Sequence, residues 1–429
     1  MGRASFPMAP MRRSWSRHFS SSTIQYAPFR ILFFGTDEFA STHLKALIKE
    51  KDRANGCVSS LSLVCPPDRF TGRKLATITP SETKGLAELY NIPVIHTPAN
   101  AKSLADWTLP PPPDHGKNNS NDDFMYDLGV VVSFGYFIPP HIISAFRYGA
   151  INVHPSLLPK FRGAAPIQHT ILRGESETGV TVQELDDKEF DAGRILAQTV
   201  VDLTPVDLPT YKDLSVFLAN VGSELLIDTL QHFDQRKKDA KQQDVSQATK
   251  APKIRKEWTE LDFNTMASWQ IEQLHRAVGY QYPLRTNFTF SRIKRSLRIK
   301  QKTVALQLYN IYLPDDSPLY HEEGTRAPGS FIEDPKTGAL HVMCADGLVI
   351  GVVHLKAEGK KTIRGKDFVN GYEIRKSGGI FNVTPDIDSI KPGQSGVRRN
   401  KRREEYEKVI RKRLGMRREV YDKIYKQDS

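Results

Sequence analysis

Apolar runs alternate with helix-like stretches over residues 29–234. The run at 30–34 ends at Gly35-Thr36, and a helical stretch begins near Glu38, which predicts a strand, a turn and a helix. Strands alternating with helices indicate βαβ units, so we expect a Rossmann-like α/β domain with a mainly parallel sheet. Further strands are predicted at 61–65, 93–95, 130–134, 150–153, 180–185 and 195–201, and helices at 82–90, 139–147, 164–173 and 211–233.

The pattern changes beyond Trp258. One amphipathic helix is followed by short apolar runs separated by Gly-containing turns, which predicts a small OB-like β-barrel over 256–373. The helix is predicted at 267–278 and the strands at 286–290, 296–299, 304–312, 329–332, 340–344 and 348–353. Residues 235–255 are polar and predict a linker between the two domains. Residues 374–429 are expected to form a basic, partly disordered tail.

The excess of positive charge lies at the two ends of the chain. The formal net charge is +12; residues 1–36 contain five arginines and no acidic residue, and residues 398–429 contain 13 Lys/Arg against six Asp/Glu. The rest, 37–397, holds 43 basic and 43 acidic residues and is neutral overall. The body of the protein therefore does not have the composition of a general polyanion binder.

The first residues are rich in Arg and Ser, which is typical of a mitochondrial transit peptide. Arg17-His18-Phe19-Ser20 looks like a matrix-protease cleavage site, so we expect a transit peptide over 1–19 and a location in the mitochondrial matrix. A disordered basic leader without a targeting role is the alternative. No apolar run reaches the roughly 20 residues of a membrane span, so we expect no membrane insertion. Three cysteines without a CxxC pair argue against a disulfide framework and a metal site.

The densest chemical information lies in the sequence Ile-Asn-Val-His-Pro-Ser-Leu-Leu-Pro at 151–159. Asn152 and His154 are two residues apart on a predicted strand, so their side chains point to the same face. Pro155 ends regular pairing and places both side chains at the exit of the strand. An amide beside an imidazole suits acyl transfer to an amine, because the amide stabilises a developing oxyanion while the imidazole relays a proton.

Asp191 is the candidate for a third group. It lies in the sequence Glu-Phe-Asp-Ala-Gly, in a turn between two predicted strands, from which a carboxylate can return to hold the imidazole. Taken singly, each residue has an ordinary structural interpretation, since Asn-x-His is common and an Asp before Ala-Gly is often only a turn residue. The combination of the three favours a catalytic group.

This combination closely resembles the folate-dependent formyltransferase family, which uses an Asn, a His and an Asp in this order. The His-Pro-Ser-Leu-Leu-Pro sequence at 154–159 is shared across that family, and Arg-Gly-Ala-Ala-Pro-Ile-Gln at 162–168 is similar to its methionyl-tRNA branch. The resemblance covers residues 29–373. It weakens at 279–283, where Gly-Tyr-Gln-Tyr-Pro replaces an Asn-Pro-Trp-Pro-like stretch.

The resemblance implies transfer of the formyl group of 10-formyltetrahydrofolate to the amino group of initiator methionyl-tRNA. The folate is then a co-substrate, no cofactor is tightly bound, and Asn152, His154 and Asp191 are catalytic. The folate is expected to lie against Phe134, Gly135, Tyr136, Ser156, Leu157, Leu158 and Pro159. The segment 66–74 resembles a flexible loop of the family that contacts the acceptor end of the tRNA through Arg69, Arg73 and Lys74. A solvated surface turn is the alternative for that segment, and we expect the protein to be a monomer.

A basic strand face is a second candidate for RNA contact. Residues 284–303 contain seven basic residues and no acid, and Arg292, Lys294, Arg298 and Lys300 alternate onto one predicted face. Such a face on a small barrel suits a phosphate backbone, and a solvated charged face is the alternative.

Other members of the family remain open at this point. Formyltransferases acting on glycinamide ribonucleotide or amino-sugar nucleotides, and hydrolases of formyltetrahydrofolate, share the Asn, His and Asp set. An inactive RNA-binding relative is a further alternative, although we would expect it to have lost one of the three residues.

Overall fold

The computed structural model describes residues 28–71, 77–99, 103–111, 124–204, 209–293, 299–321, 326–374 and 378–382. The chain divides into two compact units, between Ile254 and Arg255. The expected transit peptide at 1–19 and residues 383–429 of the expected tail lie outside the described residues. Within the described part, no helix is long and apolar enough to cross a membrane.

The first unit contains a seven-stranded sheet with helices around it. Its elements are β1 (Phe29–Phe34), α1 (Glu38–Asp52), β2 (Val58–Cys65), β3 (Arg69–Thr71), β4 (Thr77–Thr79), α2 (Glu82–Leu89), β5 (Val94–His96), β6 (Leu128–Val131), α3 (Pro140–Ile143), β7 (Ala150–His154), α4 (Pro166–Arg173), β8 (Glu177–Glu184), β9 (Ile195–Asp202), α5 (Tyr211–Gln231) and α6 (Phe233–Lys238). The sheet order is β5-β2-β1-β6-β7-β8-β9. The first five strands are parallel, while β8 and β9 run antiparallel to their neighbours, which confirms a Rossmann-like, mainly parallel sheet.

Capping side chains mark the starts of the two longest helices, α1 and α5. Asp37 follows β1 and its side chain accepts a hydrogen bond from Ala40 N, which begins α1. Thr210 and Asp213 form a reciprocal capping box at the start of α5. The central strands of the sheet form the core of this unit, since the apolar residues of β1 and β6 are almost fully buried.

The segment 235–255 differs from the predicted linker. Residues 233–238 form α6, and the chain that follows packs on the first unit rather than leaving it. Arg162 N donates to Thr249 O at 2.8 Å, and Ala251 N donates back to Arg162 O at 2.7 Å. His169 Nε2 donates to Pro252 O at 3.0 Å, and burial lowers the pKa of His169. Backbone hydrogen bonds of this kind cannot be read from amino-acid composition. The polar composition of the segment therefore predicts a linker even though the chain is packed on the first unit.

The second unit contains a closed antiparallel barrel. Its strands follow the order β11-β10-β16-β12-β13-β14, and β14 pairs with β11 to close the ring, which confirms the expected barrel. A two-residue strand, β15, adds to β14. The elements are α7 (Ser268–Val278), β10 (Leu284–Ile293), β11 (Ile299–Tyr312), β12 (Ser330–Glu333), β13 (Leu340–Met343), β14 (Val349–Ala357), β15 (Ile363–Arg364), α8 (Gly365–Gly371) and β16 (Gly379–Asn382).

Two sequence-based boundaries in this unit are wrong. Ile299, expected to end one strand, begins β11, which contains the whole strand predicted at 304–312; its pairing with β10 continues without a break from Leu284↔Leu308 to Ile293↔Ile299. Residues 296–298 lie outside the described residues. The barrel also extends past residue 373, since β16 pairs with both β10 and β12. Phe381 of β16 stacks on Phe331 at 4.3 Å between ring centroids, which places it in the barrel core rather than in a tail.

Candidate active site

The carboxyl ends of β1, β6 and β7 meet at one edge of the first sheet. Phe34 pairs with Val131, and Val131 pairs with Asn152, so three chain segments leave the sheet side by side. Just beyond β1, the Thr36 hydroxyl donates to Ser133 O at 2.9 Å and ties the first two exits together. Ligands of doubly wound sheets bind at this edge.

The three residues predicted to be catalytic converge here. Asn152 and His154 lie on the same face of β7, and Asp191 reaches them from the turn between β8 and β9. Asn152 Nδ2 donates to Asp191 Oδ1 at 3.3 Å, and His154 Nδ1 lies 3.4 Å from the same oxygen. The side chains of His154 and Asp191 are only 6% and 11% exposed, so bulk water screens this pair weakly.

The Asp191 carboxylate is held from several directions. Its Oδ2 accepts a hydrogen bond from Gly163 N at 2.8 Å, and its Oδ1 accepts one from Gln183 Nε2 at 3.2 Å. Asp191 has a left-handed backbone with φ of 56°, a conformation that costs free energy unless neighbours fix it. The donors around the carboxylate are the neighbours that do so, and each bond to an ionised acceptor is stronger than a neutral one.

The contacts of His154 define which ring nitrogen is free to gain a proton. Its Nε2 lies 3.0 Å from Phe161 O, and because a carbonyl oxygen can only accept, Nε2 bears the hydrogen in this contact. Nδ1 is then the basic atom, and it faces the Asp191 carboxylate. A proton taken up at Nδ1 finds its hydrogen-bond acceptor already in place.

The loop after His154 is held by side chains of β8 and β9. Ser156 Oγ donates to Lys160 O at 2.7 Å, and Leu158 N donates to Thr181 Oγ1 at 3.1 Å. Thr181 Oγ1 in turn donates to Ser156 O at 2.7 Å, and Gln198 Nε2 donates to Leu158 O at 2.8 Å. The peptide bond between Leu158 and Pro159 is cis. These side-chain hydrogen bonds fix the course of the loop.

The residues expected to bind folate fall into two groups. The side chains of the first group are buried and serve the core or brace the loop; they are Phe134, Ser156 and Leu158. The second group is half-buried or exposed and offers a ligand-accessible surface; it comprises Gly135, Tyr136, Leu157 and Pro159. The rings of Phe134 and Tyr136 lie 5.4 Å apart, so the buried ring supports the accessible one.

The segment expected to contact the tRNA acceptor end contributes β3, the first strand of a small β3–β4 hairpin. β3 pairs with β4, and exposed Arg69 lies opposite exposed Thr79. The hairpin follows β2 at the same edge of the sheet as the Asn, His and Asp group, and Lys84 of α2 holds its base by donating to Asp68 at 2.7 Å. This bond raises the pKa of Lys84. Arg73 and Lys74 lie outside the described residues.

The basic positions of the barrel lie at the far end of the β10–β11 pair. The backbones of Arg292 and Lys300 are directly opposite each other in the register of the two strands. Two of the predicted basic positions therefore belong to neighbouring antiparallel strands rather than to one strand. Lys294 and Arg298 fall between them in sequence and lie outside the described residues.

Two buried glutamines complete the site and were not predicted. Gln183 of β8 donates to Asp191, and Gln243 lies in the segment taken for a linker and donates to Gln183 Oε1 at 3.0 Å. Gln183 could have been noticed in the sequence, because it is a polar residue within the mostly apolar strand predicted at 180–185. Nothing in the sequence around Gln243 distinguishes it from its polar neighbours.

Among the described residues, no cluster of three or more His, Cys, Asp or Glu side chains could hold a metal ion. The three cysteines are free and buried. Burial and the Glu50 carboxylate raise the pKa of Cys57 to about 12, so this thiol stays protonated and is a structural rather than a nucleophilic group.

Comparison with known proteins gives matches along both units. The family model for formyl transferases matches residues 29–230, and the model for the formyl transferase C-terminal domain matches residues 253–373. The mitochondrial methionyl-tRNA formyltransferase of Homo sapiens is 33% identical over 363 residues, which is 84% of this chain and 82% of that protein. The methionyl-tRNA formyltransferase of Lactiplantibacillus plantarum is 33% identical over 342 residues, covering 80% of this chain and 95% of that protein.

Solved structures are more distant in sequence. The structure of HypX from Aquifex aeolicus in complex with tetrahydrofolic acid aligns with a TM-score of 0.47 at 16% identity and covers 86% of this chain; the present chain spans 50% of that protein. An N-formyltransferase from Helicobacter canadensis aligns with a TM-score of 0.47 at 17% identity, over 75% of this chain and 98% of the other.

The two matched domains define the class of protein: this is a formyl transferase, an enzyme that moves a formyl group. More narrowly, the chain belongs to the methionyl-tRNA formyltransferase family, since relatives of that name are 33% identical to it over four fifths of its length.

Proposed function

We propose that this protein transfers the formyl group of 10-formyltetrahydrofolate to the amino group of initiator methionyl-tRNA, in the mitochondrial matrix, at the site formed by Asn152, His154 and Asp191. The observation that supports this most directly is the convergence of two side chains, Asn152 and His154, on Asp191 Oδ1 at the ligand-binding edge of the sheet. The family membership of the chain supports the donor and the acceptor.

The reaction needs one bond formed and one broken at the formyl carbon. The amine of the methionyl group attacks that carbon, and the carbonyl electrons move onto oxygen as the tetrahedral intermediate forms. The C–N bond to N10 of the folate then breaks, the oxygen returns to a carbonyl, and the proton lost by the amine ends on N10. No enzyme nucleophile is required, because the amine attacks directly.

Asn152 is assigned to the developing oxyanion. Its Nδ2 has two hydrogens, and the one directed at Asp191 fixes the plane of the amide. The other is then pre-oriented to donate to the formyl oxygen, and a donor that needs no reorganisation stabilises the transition state most effectively.

His154 is assigned to proton transfer and Asp191 to its support. Uptake of the amine proton at Nδ1 creates an imidazolium beside the carboxylate 3.4 Å away. The low exposure of both side chains strengthens this ion pair relative to one in water. The same pair then releases the proton toward the leaving N10.

The folate and the tRNA are assigned to separate surfaces of the described chain. The accessible residues Gly135, Tyr136, Leu157 and Pro159 support folate binding beside the catalytic group. The hairpin of β3 and β4, at the same edge, supports contact with the tRNA acceptor end through Arg69. The backbone-opposed Arg292 and Lys300 support contact of the barrel with tRNA phosphates.

The deciding experiment is a formylation assay with purified protein and 10-formyltetrahydrofolate. Initiator methionyl-tRNA, elongator methionyl-tRNA, glycinamide ribonucleotide and an amino-sugar nucleotide are offered in parallel. We expect rapid formylation of the initiator alone. Faster transfer to one of the small acceptors would reassign the enzyme within its fold, and tRNA binding without any transfer would indicate an inactive RNA-binding relative.

The matrix location is supported by the acid-free, Arg-rich leader and by the mitochondrial names of several relatives. Removing residues 1–19 should leave formylation by the purified protein unchanged while preventing import into isolated mitochondria. Protease protection of the shortened protein inside mitochondria would reject the transit peptide.

A further inference from the structure

Gln243 links three parts of the first unit that meet at the candidate active site. Its Nε2 shares two hydrogens among three acceptors, Asp191 O at 2.9 Å, Gly193 O at 2.8 Å and Gln183 Oε1 at 3.0 Å. Its Oε1 accepts from Arg162 Nε at 3.0 Å and from a terminal guanidinium nitrogen of Arg162 at 2.7 Å. One amide side chain is therefore bonded to four residues.

Burial makes these contacts energetically significant. Gln243 is 4% exposed and Gln183 is 2% exposed, so neither amide can replace a lost partner with bulk water. A buried polar side chain with all its groups satisfied restricts its neighbours to one arrangement, whereas one lost partner leaves several groups unsatisfied at once.

The contacts of Gln243 all bear on Asp191. Two of its acceptors are the carbonyl oxygens of Asp191 and Gly193, which belong to the turn where Asp191 has its left-handed backbone. Its bond to Gln183 Oε1 orients that amide so that Gln183 Nε2 faces Asp191 Oδ1 at 3.2 Å. Backbone and carboxylate of Asp191 are thus both positioned through Gln243.

Arg162 connects the same residue to the loop that supports His154. Phe161 O accepts from His154 Nε2 at 3.0 Å, and Arg162 follows it directly in the chain. The guanidinium of Arg162 is fixed by Gln243 Oε1, with Glu189 3.7 Å away on its other side. Gln243 therefore spans the two segments that bring the carboxylate and the imidazole together.

We propose that Gln243 is a positioning residue for formyl transfer: it fixes the Asp191 turn and the Gln183 amide so that the carboxylate faces both Asn152 and His154. The inference rests on the proposed function. Its role is exerted through Asp191, without contact to either substrate. It follows that the polar segment after α6 contributes one side chain, Gln243, to the support of the active site.

Gln243→Glu keeps the hydrogen-bond acceptor of the Gln243 side chain and removes its hydrogen-bond donor. A carboxylate still accepts from Arg162, which preserves that contact, but it has no N–H for Asp191 O, Gly193 O or Gln183 Oε1. If the Gln183 amide turned to donate to the new carboxylate, its oxygen would face Asp191 instead, so the support of Asp191 is lost in either arrangement. Gln243→Leu removes both the acceptor and the donor and serves as the second variant.

Steady-state formylation by the full chain tests the proposal. We expect Gln243→Glu to lower kcat about 10- to 100-fold, the usual effect of removing a residue that orients a reacting group, with KM for both substrates within about twofold of wild type. The matched control is Asp244→Ala. Asp244 is exposed and its carboxylate accepts from Ser246, so this variant perturbs the same segment without touching the Gln243 contacts, and it should keep wild-type kcat.

A double-mutant cycle with Asp191→Asn separates positioning from general structural support. If Gln243 acts through the Asp191 carboxylate, Gln243→Glu should cost less than about twofold in the Asp191→Asn background. Losses that multiply, or a Gln243→Glu variant with the kcat of Asp244→Ala, would overturn the inference. Absence of formylation by the wild-type protein would instead reject the proposed function.

Discussion

Asp191 Oδ1 accepts a hydrogen bond from Asn152 Nδ2 at 3.3 Å, across 39 residues of sequence. The same oxygen lies 3.4 Å from His154 Nδ1. A single carboxylate oxygen therefore orients both the proposed oxyanion donor and the proposed proton acceptor. Any change at Asp191 should affect both functions, whereas a change at Asn152 should affect only one.

Asn152→Ala should lower kcat about 10² to 10³-fold, because it removes one donor to the oxyanion of the transition state. Its effect on KM for the folate and the tRNA should be small, since the formyl oxygen gains its charge only in the transition state. Asn220→Ala is the matched control: Asn220 is an exposed amide on α5 whose Nδ2 donates only within the helix, to Val216 O at 2.9 Å. Single-turnover formylation measures both variants. Near-normal turnover of Asn152→Ala would end the assignment.

Asp191→Asn should lower kcat on the order of 10² to 10⁴-fold, comparable to His154→Ala. The carboxylate accepts from Gly163 N at 2.8 Å on one oxygen and from Asn152 and Gln183 on the other. An amide at this position must direct an N–H at one of these donors, so it loses both the charge and a matched partner. The control is Asp187→Asn, an exposed residue of the same turn. An Asp191→Asn variant with wild-type kcat and pH profile would return Asp191 to a role in turn structure.

The part of the site that could be predicted depends on local sequence. Asn152 and His154 are two residues apart on one strand, so strand geometry alone places them on one face. Asp191 could be predicted because it lies in a turn between two predicted strands and because the resemblance to the formyltransferase family places an Asp with the Asn and the His. Gln243 could not, because its importance arises from bonds to residues 50 or more positions away and its own neighbourhood is uniformly polar.

The fold, like the site, could be predicted where the local sequence has a clear pattern, but not where long-range pairing defines an element. Strands with continuous apolar runs, such as β1 and β6, were predictable because burial on both faces leaves a clear pattern. The four-residue β16 was missed, since so short a segment shows no period and is defined by its pairing with β10 and β12. Residues 235–255 resemble a linker in sequence because their composition is polar, although Gln243, Ala251 and Ile254 are buried in the first unit.

His43 should make the first unit less stable in mild acid. The ring is fully buried, its Nδ1 donates to Phe39 O at 2.8 Å, and its Nε2 has no hydrogen-bond partner. Burial lowers the pKa of His43 to about 4 from 6.5. Between these values the unfolded chain binds a proton that the folded chain does not, so stability is fully present above pH 6.5 and falls as the pH drops toward 4.

The expected slope is about 1.4 kcal/mol per pH unit, or about 2 kcal/mol between pH 6.5 and 5. Denaturant unfolding of wild type and His43→Leu at a series of pH values measures it. The difference in free energy of unfolding between the two should shift in favour of the variant by that amount as the pH falls. Parallel curves for wild type and His43→Leu would show that His43 does not titrate differently in the folded state.

The basic tail can be separated from catalysis by salt. Residues 398–429 hold 13 Lys/Arg against six Asp/Glu, and they lie outside the described residues, so the prediction rests on charge alone. Each phosphate neutralised by Lys or Arg releases condensed counterions, which makes log affinity fall with log salt in proportion to the number of contacts. Truncation after Gly396 should therefore weaken tRNA binding at low salt and flatten that slope, while turnover at saturating tRNA barely changes.

The competing interpretation treats 402–426 as a solvated helix in which Glu404, Glu405 and Glu407 offset neighbouring bases. It predicts the same slope with and without the tail, and tRNA affinity measured for both proteins across a salt series distinguishes the two. A matched variant, Arg292→Ala with Lys300→Ala, removes the pair opposed across β10 and β11. If truncation leaves the slope unchanged and this variant flattens it, the tail does not touch the tRNA, and the barrel, together with the hairpin of β3 and β4, supplies the phosphate contacts.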